Sequence, residues 1–460
     1  MTGRVVVVGA GVAGLTTAYR LLLAEPSLTV SVFETDARIG GVIHAVRVGD
    51  LELDAGPEAF MARKPWATEL GRELGLELVP PRAHGSYVWT DRGLLPLPPT
   101  ALGVPAELDA LARWPGLSRA GRLRALSDLV RRAEPSFGDE ALGALARRRL
   151  GDACTDALVQ PLLGGLFAGD VDRLSVLATY PELAGWERDF GSLIRGARAA
   201  AKLGREAGPM FLRPRHGMAS LPGALASAVG EARVRTGAVV AGIAAAGTGF
   251  VVRVGGEELG ADAVVLATPA AEAARLLEPI APAAATELGA LPSASVGVVL
   301  LVYPPGTAEA LPEASGFVVP RGKAPMLSAS LVSSTWPDDA FGERAVVRCV
   351  VGGAGSEDVL EAPDGDIVGA VERHLAAVLP LPPAAEASAV VRWSRAMPQY
   401  EVGHLERVEA ALASLPPGIF VVGNAYEGVG VADVVRGANR IAERVRAHLA
   451  GGDRSGEREH

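Results

Sequence analysis

The sequence predicts an α/β protein: a discontinuous domain around a parallel sheet assembled from distant pieces of chain, joined to a mixed-sheet domain and a helical insert. Three observations carry that expectation. An apolar strand near the start runs straight into the turn of "VVVVGAGVAG", residues 5–14. A second buried strand ending in a turn lies in "ADAVVLATP", residues 261–269. Strand, glycine-rich turn and helix return in "VVGNAYEGVGVADVVRGANR", residues 421–440.

Each element has its reason. Arg4 to Val8 is short, apolar and β-branched, which suits a parallel strand covered on both faces. Gly9, Gly11 and Gly14 follow in GxGxxG spacing around Val12 and Ala13, and Leu15 to Leu23 reads as a helix. Gly9 permits the tight turn, Gly11 lets a pyrophosphate touch backbone, and Gly14 lets helix and strand pack closely. The helix N-terminus then offers its unsatisfied N–H groups to phosphate. Leu28 to Phe33 is the next strand. It ends in Glu34 and Thr35, and Glu34 stands 20 positions after the last glycine. An acidic side chain at that offset accepts hydrogen bonds from ribose hydroxyls. Together these features predict a Rossmann-like dinucleotide site.

Just beyond, "DARIGG" places Arg38 beside a second glycine pair, Gly40 and Gly41. The cation offsets phosphate charge, and the glycines let backbone pass close to an extended ligand. This second glycine site resembles the FAD-binding pattern of the amine oxidase and desaturase group of flavoproteins, and points to FAD rather than NAD.

The middle of the chain is read more coarsely. Residues 92–174 are rich in Leu, Ala and Arg and read as helices. Val234 to Gly255 alternates as a hairpin or meander, with Gly247 and Gly249 at the turn. Val296 to Val302 and Ala345 to Val351 read as strands of a larger sheet. The expected division is a discontinuous cofactor domain (1–65, 214–268 and 418–450), a substrate domain (66–91, 175–213 and 269–417), a helical module (92–174) and a disordered tail (451–460).

Composition narrows the function. With 49% hydrophobic and 21% charged residues the chain has the balance of a globular protein. Its formal net charge of -9 argues against a general nucleic-acid binder. Cys154 and Cys349 lie far apart, so they suggest neither a disulfide framework nor a CxxC site. The seven histidines show no metal-binding spacing, and no metal is expected. The first strand begins at once, without a signal-like stretch, and no run approaches the roughly eighteen apolar residues of a spanning helix. A cytoplasmic protein, with peripheral membrane contact as a further option, is the expectation.

Three further stretches resemble the protoporphyrinogen and coproporphyrinogen oxidases. They are "VQPLLGGLFAGD" with "RLS" (residues 159–170 and 173–175), "GPEAF" with Arg63-Lys64, and the closing "VGNAYEGVGV" (residues 422–431). "GPEAFMARK" and "GFVVP…SSTWPD" are nearer to the Gram-positive bacterial branch, which oxidises coproporphyrinogen III. The resemblance implies cofactor contacts at Gly9, Gly11, Val12, Ala13, Gly14, Glu34, Thr35, Arg38, Gly40, Gly41, Gly56, Pro57, Val240 and Thr268. At the far end it implies Gly423, Asn424, Gly428, Val429, Gly430 and Val431. It implies substrate contacts at Glu58, Arg63, Lys64, Phe167, Gly169 and Phe317. The implied reaction is hydride transfer from a porphyrinogen to FAD, with oxygen as final acceptor, repeated three times. No side chain is assigned as acid or base.

Protoporphyrinogen IX is the alternative substrate; an amine or polyamine oxidase and a non-catalytic flavin or porphyrin carrier are the more distant readings. An amine oxidase would be expected to carry an aromatic pair near the closing segment, where only Tyr426 stands. The family also implies membrane contact by the helical module, a hand-off to ferrochelatase, and a monomer or homodimer. The two glycine corners are expected to meet in one site, the first holding the ADP half of FAD and the second its ring.

Overall fold

The computed structural model describes residues 3–134, 136, 138–204, 208–336 and 338–456. Pro337 of the SSTWPD stretch and residues 457–460 of the expected tail lie outside them.

The predicted parallel sheet is present and is built from five separate pieces of chain. Strand β1 is Arg4–Val8, followed by helix α1 (Val12–Ala24) and β2 (Thr29–Phe33). Much later come β3 (Val234–Arg235), β4 (Ala263–Leu266) and β5 (Ile419–Val421), which leads into helix α2 (Val431–Gly456). Their order across the sheet is β3-β2-β1-β4-β5, and every neighbouring pair is parallel. Val5, Val7, Val264, Val265 and Leu266 are fully buried, as strands covered on both faces must be. Helices α1 and α2 lie together on one face, where Leu15, Ala18 and Leu21 share a core with Val435, Ala438 and Ile441. On the other face lies the predicted meander, Val240–Ala246, Gly249–Val254 and Glu257–Ala261, paired antiparallel.

A seven-stranded sheet forms the second layer system. Ser293–Val302 and Val346–Gly352 are adjacent inner strands of it, and it is mixed: Gly316–Val318 runs parallel to Tyr87–Thr90 while the other neighbouring pairs are antiparallel. Both predicted apolar runs are therefore strands of one sheet.

Three local expectations need correcting. The stretch expected to be helical from 92 opens instead with short strands, Gly93–Pro96, Thr100–Ala101 and Val104–Pro105, where closely spaced prolines disfavour a helix. The helical core runs on past 174: Leu183, Leu193, Ile194 and Ala197 share one cluster with Leu142, Leu145 and Leu158. Helix α2 continues to Gly456, so the chain is still helical where a disordered tail was expected from 451.

Among the described residues no helix is long and apolar enough to cross a membrane.

Candidate active site

All the parallel strands end at the same edge of the sheet, and the glycine corners collect there. The backbone N–H of Gly9 donates to the Phe33 carbonyl at 2.7 Å, tying the end of β1 to the end of β2. Gly9 has a φ of +106°, and a Cβ on it would lie 2.6 Å from the Ala267 carbonyl oxygen, so only glycine fits. A Cβ on Gly14 would stand 2.0 Å from the Gly9 carbonyl oxygen, which is the close helix–strand approach read from the sequence. Gly11 is different. Nothing lies within 4 Å of where its Cβ would be, so the position that should face a pyrophosphate is open.

Glu34 closes this corner from the side. Its carboxylate accepts the Ala10 N–H at 2.8 Å and the Asp36 N–H at 3.0 Å. A carboxylate has about four acceptor positions, so capacity remains for ribose hydroxyls. Thr35 beside it is exposed. The Gly40 N–H donates to the Ala10 carbonyl at 2.8 Å and brings the second glycine pair against the first. Arg38 braces that pair, donating to the Gly41 carbonyl at 2.8 Å, and its guanidinium lies 5.9 Å from the Trp393 ring centre. Thr268, just past β4, has a buried hydroxyl with no hydrogen-bond partner among the described residues. Val240 is a buried residue at the start of the meander, where the Ala238 N–H donates to the Glu34 carbonyl at 2.8 Å.

The closing segment reaches the same edge. Gly423 follows β5 with a φ of +148°, and a Cβ there would meet nothing nearer than the Tyr426 ring at 3.9 Å. Asn424 donates its side-chain amide to the Ala396 carbonyl at 3.2 Å. Gly428, Val429 and Gly430 lead into α2, which begins at Val431, and Asp433 lies inside its first turn. A Cβ on Gly428 would come within 2.7 Å of the Asp433 side chain. The Asp433 carboxylate suits the positive end of the helix. It also holds Lys64, whose Nζ donates to both carboxylate oxygens at 2.6 and 2.8 Å.

The predicted substrate residues divide. Lys64 is anchored at the cofactor edge by Asp433, and Arg63 beside it is exposed. Gly56 packs against the Val42 carbonyl, where a Cβ would approach to 1.9 Å, with Pro57 half-buried after it. Glu58 keeps one carboxylate oxygen 3.7 Å from Arg348, while the other is buried with no partner among the described residues. Gly169 lines a small cleft with Gln160, Arg321 and Gly353, between the helical module and the mixed sheet. The two phenylalanines do not face an opening. Phe167 is 4% exposed and packs edge-on against Tyr180; Phe317 is 2% exposed and packs edge-on against Trp89. Each ring contributes apolar area to its own core.

Two functional neighbours escaped the sequence reading. Arg348 lies in an otherwise apolar strand and donates to the Gly56 carbonyl at 2.7 Å. Tyr400 donates its hydroxyl to the Asn424 carbonyl at 2.7 Å and accepts the Gly428 N–H at 2.9 Å. Burial pushes the Tyr400 phenol well above its ordinary range, so it keeps its proton. Its ring stacks on His404 with centres 3.8 Å apart. No local spacing signals either residue.

Burial also pushes the His404 imidazole down to about 4. Between pH 6.5 and 4 the unfolded chain takes up a proton that the folded one refuses. Stability therefore falls as pH drops through that window, by up to about 3 kcal/mol, and levels off below it. His404→Phe is expected to remove that share of the acid loss, measured as urea midpoints at pH 7 and pH 4.5. An unchanged slope would exclude His404 as the titrating group.

Two open glycines, an unpaired buried hydroxyl, a carboxylate with spare acceptor capacity and two helix N-termini on one edge fit an extended dinucleotide. The class follows from comparison as well: the chain belongs to the flavin containing amine oxidoreductase family, whose pattern matches residues 12–446. It is an FAD-dependent oxidoreductase. Among individual proteins it is 31% identical to the coproporphyrinogen III oxidase of Bacillus subtilis, over 94% of this chain and 95% of that one. It is 33% identical to that of Mycobacterium tuberculosis, over 95% and 96%. A crystal structure from Exiguobacterium sp., provisionally named a protoporphyrinogen oxidase, superposes with a TM-score of 0.87 at 28% identity, covering 97% of this chain and 99% of that one.

Proposed function

We propose that the protein oxidises coproporphyrinogen III to coproporphyrin III, passing six hydrogens in three rounds to three molecules of oxygen and releasing three of hydrogen peroxide. The observation that carries this reading is likeness along nearly the whole chain to coproporphyrinogen III oxidases, those of Bacillus subtilis and Mycobacterium tuberculosis among them. Lys64, beside the closing glycine segment, and Arg321, in the cleft with Gly169, are the cations offered to the substrate's propionates, each already held by a carboxylate, Asp433 and Asp170.

Bound FAD supplies a two-electron acceptor for hydride. The chain's own residues bind and orient. The N-terminus of α1 and the open backbone at Gly11 hold the pyrophosphate, and Glu34 holds a ribose. Arg348, through the Gly56 carbonyl and Glu58, fixes the segment that leads to Lys64. The N-terminus of α2 places positive potential where the closing glycines admit the cofactor's ring. Loss of hydride leaves a cation spread over pyrrole nitrogens, from which an N–H proton departs, so the reaction places little demand on an acid–base pair.

Anaerobic mixing of the yellow holoprotein with coproporphyrinogen III, protoporphyrinogen IX or spermine tests this. Fast bleaching of the flavin by coproporphyrinogen III and slower bleaching by protoporphyrinogen IX are expected. Bleaching by spermine alone would overturn the reading, and a faster reaction with protoporphyrinogen IX would change the substrate.

A further inference from the structure

We propose that Tyr400 is a positioning residue, whose hydroxyl clasps both ends of the loop that carries the closing glycines. The proposal rests on reading residues 423–431 as the cofactor's second cradle. One oxygen atom makes both bonds: it donates to the Asn424 carbonyl at 2.7 Å and accepts the Gly428 N–H at 2.9 Å. The path between them, Ala425-Tyr426-Glu427, is thereby fixed in span. Gly428 itself has a φ of +132°, so the loop leaves the clasp in a conformation that only glycine tolerates well.

The clasp is held from behind. Tyr400 is 1% exposed, stacked on His404 and tilted against Phe167 with centres 5.6 Å apart. Its neighbour Gln399 donates to the Phe167 carbonyl at 2.9 Å, and a Cβ on Gly169 would meet the Gln399 side-chain oxygen at 2.5 Å. Two consecutive residues thus touch the helical module on one side and the closing loop on the other. With so little exposure, water is poorly placed to replace the hydroxyl, and deleting it leaves a carbonyl and an N–H without their partner.

The test compares Tyr400→Phe with His404→Phe and Gly428→Leu in the full chain. Tyr400→Phe keeps the ring, so the melting temperature of the FAD-free protein should stay close to wild type. The FAD dissociation constant is expected to rise about tenfold. The flavin midpoint potential should move, and kcat should fall while KM for the porphyrinogen holds. His404→Phe keeps a ring against Tyr400 and leaves both clasp bonds in place, so its loss of FAD affinity should be clearly smaller than that of Tyr400→Phe. If Tyr400→Phe matches wild type in FAD affinity and potential while Gly428→Leu strips the cofactor, the clasp has no positioning role. Equal losses in the Tyr400 and His404 variants would show that any disturbance of the packing behind the loop has the same effect, and would overturn the proposal. Should Gly428→Leu also retain FAD, the cradle reading itself fails, and the clasp with it.

Discussion

Gly11→Leu is expected to abolish FAD binding while leaving the melting temperature of the FAD-free protein within a degree or two of wild type. Gly14→Ala is expected to do the reverse damage. At Gly11 the φ is −72°, an ordinary value for any residue, and the space beside it is open. A Cβ there has no protein atom within 4 Å, and a side chain built on it fills the place a pyrophosphate needs, so the dissociation constant for FAD should rise by at least about a hundredfold. At Gly14 even a methyl group would stand 2.0 Å from the Gly9 carbonyl oxygen, which is backbone and cannot swing aside. Helix α1 must then move off the sheet, at a cost of about 3 kcal/mol in the absence of any cofactor. Fluorescence titration with FAD and urea unfolding of both stripped variants separate the two effects. If Gly11→Leu unfolds the protein or still binds FAD tightly, the opening beside Gly11 is not the pyrophosphate site.

Arg149→Met should cost about 3–5 kcal/mol of unfolding free energy, the largest stability loss expected from one change in the helical module. Arg149 is 1% exposed and Asp128 fully buried, with 2.6 Å between Nε and the carboxylate. The same guanidinium donates to the carbonyls of Asp128 at 2.9 Å, Arg132 at 2.9 Å and Gly191 at 2.7 Å. Asp128 accepts in addition from the Ser192 hydroxyl at 2.6 Å and the Ile194 N–H at 2.9 Å. Removing the guanidinium leaves a buried carboxylate without its counter-charge and three carbonyls without a donor. The double variant Asp128→Leu/Arg149→Met should recover part of the loss, because no lone charge then remains buried. A single-variant cost below about 1 kcal/mol in urea titration would show that the module does not depend on this pair.

How much of this was legible beforehand depends on the range over which each constraint acts. The N-terminal corner was legible because its geometry is local: Gly9, Gly11 and Gly14 are separated by a few bonds, and each answers a steric demand within the same turn. The closing segment was legible as a glycine turn opening a helix, but the openings expected beside Gly428 and Gly430 are taken by Asp433, and the open backbone lies at Gly423. The order of the sheet was not, because β4 is flanked by strands from opposite ends of the chain. Phe167 and Phe317 show what a resemblance leaves open. A motif transfers a residue type, but the direction of a ring is set by the packing around it, and both rings turn inward. Lys64 was expected at the site from the resemblance, yet its partner Asp433 is 369 positions away, and nothing in either neighbourhood announces the pair. Arg348 sat unnoticed in an apolar run because strand periodicity reports a face and not what that face meets.

The five-piece sheet also carries a consequence for synthesis. Strands β1 and β5 stand only two positions apart in the sheet but are separated by almost the whole length of the chain. At the usual pace of translation, roughly 20–80 s pass between the emergence of one and the other. Through that interval the face of α1 that packs on α2 is uncovered, and once β4 has emerged its outer edge waits unpaired for β5. The growing chain is thus sticky for longer than a domain of contiguous sequence would be, and a product stopped before residue 419 lacks the piece that completes the flavin site. Retention of yellow cofactor is therefore a mark of having been translated through to the last strand and helix.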